Sequence, residues 1–242
     1  FVHPKWVPQM KDAVDIVSNI KEHFNNKIEI IALVPNKFGA VKAKQCGVDT
    51  ITYVISCSEK HNKENVNRTT EESFKELEDI SNELGDVKFR LALATTFGCP
   101  FGENVKIEKI ISMANRGIKI GADKIILADT VGMANPKQVN RILSCIAEEI
   151  DVSKLGLHMH DTRGLALANI LEALRIGINY FESATGGLGG CPFAPGAAGN
   201  ISTEDLVNML HEMDIKTGIN PDKIFNTVNL IKKHVNAPIV SI

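Results

Sequence analysis

The chain has 242 residues, 44% of them hydrophobic and 23% charged, with a formal net charge of −2. That composition is ordinary for a globular protein, and it carries no basic excess of the kind that holds nucleic acid or an anionic membrane. No apolar run approaches the roughly 20 residues needed to span a bilayer, and five cysteines without framework spacing fit a reducing compartment, cytosol or mitochondrial matrix.

The sequence opens at Phe1, and Phe1-Val-His-Pro-Lys-Trp6 resembles neither a signal nor a transit peptide. It reads as a strand end entering a loop, so the chain is expected to begin in mid-fold. A helix is predicted at 9–24, then a strand at 28–34 closed by Pro35-Asn36, and a helix at 39–46. A strand follows at 50–57, where Thr, Tyr, Val and Ile favour β structure. The segment 59–68 is polar and net basic and reads as a solvated loop that could touch a phosphate-bearing ligand. Thr69-Thr70-Glu71-Glu72 is a capped start with acids in the first turn of a helix over 69–84. Strand 87–95, helix 106–121, strand 124–129 and helix 136–150 come next, with Pro136 suited to a first helical position. Strand 154–160, helix 164–177 and strand 179–185 precede two closing helices at 203–213 and 220–235. The helical stretches carry apolar residues at spacings of three and four. Gly47, Gly85, Gly121 and Gly177 stand where helices should stop.

Alternating strands and helices with short loops imply an α/β fold with a parallel sheet. A doubly wound sheet is one option. A TIM (β/α)8 barrel accounts better for polar and Gly-rich motifs after several different strands, because barrel active sites gather at strand C-terminal ends. Six strands are counted where eight are needed, so the missing part would lie upstream. One domain over 1–242 is expected, closed by the helices at 203–235. The polar groups after the apolar runs are Asn36, Ser56 to Glu59, Thr95-Thr96, Asp129-Thr130, His158 with His160 and Asp161, and the loop 184–200. In a barrel, all would face one cavity.

His158 and His160 end the apolar run Lys154-Leu-Gly-Leu-His-Met-His160. Alternate strand residues point the same way, roughly 6–7 Å apart, so both imidazoles can face one divalent ion. The alternative for each is a hydrogen-bonded core histidine. Asp161 suits a helix cap better than a partner for an imidazole N–H. Asp129, after four apolar residues, needs a partner to offset desolvation; it is either a cap or salt bridge, or a group that orients substrate and handles protons. Arg163 meets an anion or pairs with a neighbour. The loop from Thr185 to Asn200 holds Gly186, Gly187, Gly189, Gly190, Gly196 and Gly199 with Pro192 and Pro195, so it is no regular element. Cys191 lies within it and could donate or accept a proton if the loop closes over a ligand. Asn200 is a carbonyl-type metal ligand or a turn residue. Cys57 and Cys145 read as buried structural thiols, Cys46 as a helix end, and Cys99 as a group lining the site.

Taken together, Phe1-Val-His-Pro-Lys-Trp6, Leu33-Val-Pro-Asn36, Phe97-Gly-Cys-Pro100, Ala128-Asp-Thr130, His158-Met-His-Asp-Thr162, Gly186-Gly-Leu-Gly-Gly-Cys-Pro192 and Gly199-Asn200 resemble the 3-hydroxy-3-methylglutaryl-CoA lyases, in order and from end to end. The His-x-His element is shared with a wider metal-dependent set that includes isopropylmalate and homocitrate synthases; the loop with Cys191 is more specific to the lyases. The resemblance implies a (β/α)8 barrel with Mg²⁺ or Mn²⁺, an acyl-CoA substrate and a homodimer. It implies that His158, His160 and Asn200 are metal ligands, that Cys191, His158 and Asp129 are catalytic, and that Thr130 and Glu204 serve the substrate. One departure stands out. The family's Arg-Asp-Gly-Leu-Gln motif, source of an Asp ligand and of the arginine that stabilises the enolate, does not occur in these 242 residues. The barrel is accordingly expected to lack its first strand, first helix and most of its second strand, and the chain alone to show negligible lyase turnover. Two other readings stay open: an acetyl-CoA condensing enzyme acting on a 2-oxo acid, and a non-catalytic fragment.

Overall fold

The structure is a computed structural model that describes residues 1–2, 5, 7–24, 27–190, 199–236 and 239. It divides into two compact units, Phe1–Ala94 with Glu108–Ile126, and Thr95–Ile107 with Leu127–Ile242.

In the first unit, α1 (Ala13–Phe24) leads to β1 (Ile31–Val34), α2 (Lys37–Gln45), β2 (Thr50–Ser56), α3 (Glu59–Val66), α4 (Thr70–Leu84), β3 (Lys88–Ala94) and α5 (Ile107–Ile120). The strands are parallel, with Leu33 beside Thr52 and Tyr53 beside Leu91. Ile51, Ile55, Leu91 and Leu93 are fully buried, each contributing about 1.5–3 kcal/mol by leaving water. Helix α5 presses onto this sheet at Gly117, where a Cβ would lie 2.5 Å from Leu91 Cδ2 and 3.0 Å from Ile125 Cδ1. The capped start at Thr69 is a full capping box with Glu72.

The loop expected at 59–68 is instead a helix, α3, with Ser58 as its N-cap. Its inward face is His61 and Asn62, both buried, so no apolar period advertises it. Ser56 Oγ lies 2.6 Å from His61 Nδ1, and Asn62 Oδ1 accepts from Ser56 N at 2.9 Å. Burial holds the His61 imidazole below its ordinary pKa. Asn36 and Glu59, expected to face a cavity, are used locally. Asn36 caps α2 through Gly39 N, and Glu59 accepts from the Thr70 N–H and hydroxyl. Arg68 is paired with Glu76 at 3.0 Å, which engages the charge a phosphate would need.

In the second unit, β4 (Lys124–Asp129) contributes its end, followed by α6 (Pro136–Ala147), β5 (Leu155–Met159), α7 (Ala166–Ile176), β6 (Phe181–Glu182), α8 (Thr203–Glu212) and α9 (Pro221–His234). The six strands run β1 to β6 in chain order in one sheet. Two strands are shorter than their apolar runs suggest: β1 starts at Ile31, and β6 holds only Phe181 and Glu182. Asp161 accepts from Ala166 N, the first residue of α7, at 2.9 Å, while Leu165 holds the N-cap position. Cys57 is buried as expected, whereas Cys145 is only partly so. Among the described residues, no helix is long and apolar enough to cross a membrane.

Candidate metal centre

In β5, Leu157 and Met159 are buried on one face, and His158, on the other, is partly exposed. Past Met159 the chain leaves the ladder but keeps one pairing. His160 and Asn200 form an antiparallel bridge, flanked by Asp161 N to Gly199 O and Ile201 N to Met159 O, each 3.0 Å. This bridge brings the asparagine to the histidines. The two imidazole centroids lie 5.3 Å apart. His160 is almost fully buried, and desolvation, helped by the neighbouring His158, lowers its pKa to about 4. It is therefore a neutral imidazole at pH 7, the form that ligates metals.

The amide of Asn200 is held on one side only. Its Nδ2 donates to Leu188 O at 2.8 Å, while its Oδ1 is buried with no hydrogen-bond partner. A buried amide oxygen without a donor costs about 1–3 kcal/mol, a cost that a cation at that oxygen would remove. Gly189 and Gly199 lie so close to this segment that side chains are excluded at both. A Cβ on Gly189, whose φ is +102°, would lie 2.6 Å from Asn200 Nδ2, and one on Gly199 would lie 1.8 Å from Gly189 O. Among the described residues, no group of three His, Cys, Asp or Glu could hold a metal ion. The candidate donors to a divalent cation are the two imidazoles and the amide oxygen.

Glu204, in the first turn of α8, accepts the Gly186 N–H with both oxygens at 3.1 and 3.0 Å. It fixes the turn from which the Gly-rich loop departs. Cys191 lies outside the described residues.

Asp129 and Thr130, at the end of β4, form a second cluster. Asp129 is fully buried, and its two oxygens accept Met133 N and Ala134 N, each at 2.9 Å. Burial pushes its carboxyl pKa up, opposed by those N–H groups and by the Arg163 charge. The bonds make Asp129 a brace for the loop after β4, and both its oxygens are engaged there. Thr130 Oγ1 accepts from Thr95 N at 2.8 Å, and Thr95 sits at φ +59°, a rare setting for a β-branched residue. Cys99 is buried in the loop after β3.

One group in this site had no sequence signal. Glu182 Oε2 lies 3.0 Å from His158 Nδ1. Only the pairing of β5 with β6, which sets His158 beside Glu182 in register, makes it a neighbour.

A family model described as HMGL-like matches residues 4–231. Hydroxymethylglutaryl-CoA lyase YngG of Bacillus subtilis strain 168 is 40% identical, over all of this chain and 81% of that protein. A crystal structure of the HMG-CoA lyase of Bacillus subtilis superposes with a TM-score of 0.94 at 39% identity, covering 99% of this chain and 80% of that one. An HMG-CoA lyase of Acinetobacter baumannii, solved with coenzyme A and 3-methylmalate, gives 0.93 at 40% identity, covering 100% and 79%.

Proposed function

Because the chain belongs to the HMGL-like family and is a carbon–carbon lyase of the hydroxymethylglutaryl-CoA type, we propose that His158, His160 and Asn200 are this chain's ligands for its divalent metal, Mg²⁺ or Mn²⁺. The observation that carries this is the buried, partnerless Asn200 Oδ1, delivered by the bridge to His160. The fold is read as belonging to the (β/α)8 barrel type, on its parallel strands in chain order.

The reaction cleaves 3-hydroxy-3-methylglutaryl-CoA to acetyl-CoA and acetoacetate. The tertiary hydroxyl loses its proton, the C–C bond breaks as that oxygen becomes a ketone, and the bonding pair leaves as the thioester enolate, which is then protonated. A bound divalent cation supplies charge that acidifies the hydroxyl and steadies the substrate oxygens. We assign the hydroxyl proton to His158. Its Nδ1 faces Glu182, and its other nitrogen could take that proton only once detached from the cation, giving an imidazolium already beside a carboxylate. Cys191, on the Gly-rich loop, is assigned the proton delivered to the enolate carbon. Glu204 supports it by anchoring that loop at Gly186. Asp129 and Thr130 are assigned to the substrate side of the site: the first braces the loop after β4, and the second shapes it through Thr95 N. The proposed setting is the cytoplasm, or the mitochondrial matrix in a eukaryote, and the proposed assembly is a homodimer.

The deciding experiment is acetoacetate release from 3-hydroxy-3-methylglutaryl-CoA by the protein carrying this sequence. Turnover should stop with a chelator and return with Mg²⁺ or Mn²⁺. Condensation of acetyl-CoA with a 2-oxo acid, or turnover indifferent to the chelator, would overturn the reading. The same assay decides whether residues 1–242 turn over by themselves.

A further inference from the structure

We infer that Glu182 is the positioning residue for His158: it holds the imidazole by Nδ1–H and so presents the Nε2 lone pair as the ligand atom. This deepens the metal-site reading above and rests on it.

The geometry comes from strand register. β5 and β6 are parallel, with Leu157 beside Phe181 and His158 beside Glu182. Residues in register on neighbouring strands project to the same face of the sheet, so the carboxylate stands next to the ring, at 3.0 Å from Nδ1. β6 ends at once after Glu182, and the chain then ties into the segment that carries Asn200. Ala184 N donates to Ile201 O at 3.1 Å, and Thr203 N donates to Ala184 O at 2.9 Å. One short stretch therefore connects the support of His158 to the backbone that places the amide ligand.

A stability role accounts poorly for the pair. The side chains are 29% and 27% exposed, and an ion pair that open to water contributes about 0–1 kcal/mol. Its effect on direction is larger. A neutral imidazole in water favours the proton on Nε2, which would leave the lone pair on Nδ1, pointing at Glu182. A carboxylate at Nδ1 reverses the preference and fixes the ring's orientation.

The test uses the full chain. In ¹⁵N-labelled, metal-free protein, long-range ¹H–¹⁵N correlation should show His158 with its proton on Nδ1. In Glu182→Ala the proton should move to Nε2, and in Glu182→Gln, whose amide oxygen still accepts, it should stay largely on Nδ1. Calorimetric titration with Mn²⁺ should give a Kd about 10–100-fold weaker for Glu182→Ala, with a smaller loss for Glu182→Gln. A parent His158 protonated on Nε2, or a Mn²⁺ Kd within twofold in Glu182→Ala, would overturn the inference. If His158→Ala leaves Mn²⁺ binding unchanged, the metal-site reading fails instead, and the tautomer measurement still decides what Glu182 does to the ring.

Discussion

Asn200 stands opposite His160 across a single antiparallel bridge, and its buried Oδ1 has no hydrogen-bond partner. The protein thus carries an unpaired amide oxygen next to two imidazoles, and binding a cation there should relieve it. Mn²⁺ is expected to raise the melting temperature of the parent protein by mass action on the folded state. In Asn200→Ala the affinity should fall by about 10–100-fold and the thermal shift should shrink with it, while metal-free stability changes by no more than about 1 kcal/mol. Differential scanning fluorimetry against Mn²⁺ concentration checks this; an undiminished shift in the variant would remove Asn200 from the ligand set.

Gly189→Ala tests the packing of the loop against that amide. The new Cβ would meet Asn200 Nδ2 at 2.6 Å, on a backbone at φ +102°. The strain is expected to cost about 1–3 kcal/mol in urea unfolding and to weaken Mn²⁺ binding by displacing Asn200. Unchanged stability would mean that the loop does not hold this conformation.

Asp129 offers a choice between bracing and chemistry. Removing its carboxylate leaves Met133 N and Ala134 N without their acceptor, at about 1–3 kcal/mol for each buried group left unsatisfied. Asp129→Asn restores only one acceptor and turns a donor toward the other N–H. Both Asp129→Ala and Asp129→Asn should therefore lose stability together with activity. A fully stable Asp129→Asn that is inactive would assign the residue to proton handling alone.

His61 governs a pH dependence in the first unit. Burial lowers its folded-state pKa below the ordinary value of about 6.5. Between those two values the unfolded chain binds more protons, so stability rises with pH through that window. The contribution is complete above the unfolded pKa and is lost on acidification toward the folded one, with a slope of at most about 1.4 kcal/mol per pH unit. Chemical denaturation of the metal-free protein between pH 7 and pH 5 should show the decline, and His61→Gln should flatten it. A parallel decline in the variant would place the titrating group elsewhere.

Much of the fold was legible because burial writes a period into the chain. Apolar runs located β2, β3, β4 and β5 to within a residue or two, and spacings of three and four located α4 to α9. The N-cap at Thr69 comes from local hydrogen bonding, which a short motif records directly. Where burial is polar the record fails: α3 packs His61 and Asn62 inward, and its sequence reads as a solvated loop.

The site divides the same way. His158, His160 and Asn200 were nameable from sequence because alternation along one strand and a Gly-Asn turn are properties of adjacent residues. The sequence alone thus determined the fold class, the histidine pair and the family to which both belong. Only the tertiary structure decided that Glu182 lies 3.0 Å from His158 Nδ1, that both oxygens of Asp129 accept backbone N–H groups, and that the free oxygen of Asn200 lies buried beside His160. Each of those depends on strand register or on a bridge between distant segments, and pairing between distant segments leaves no period in the chain.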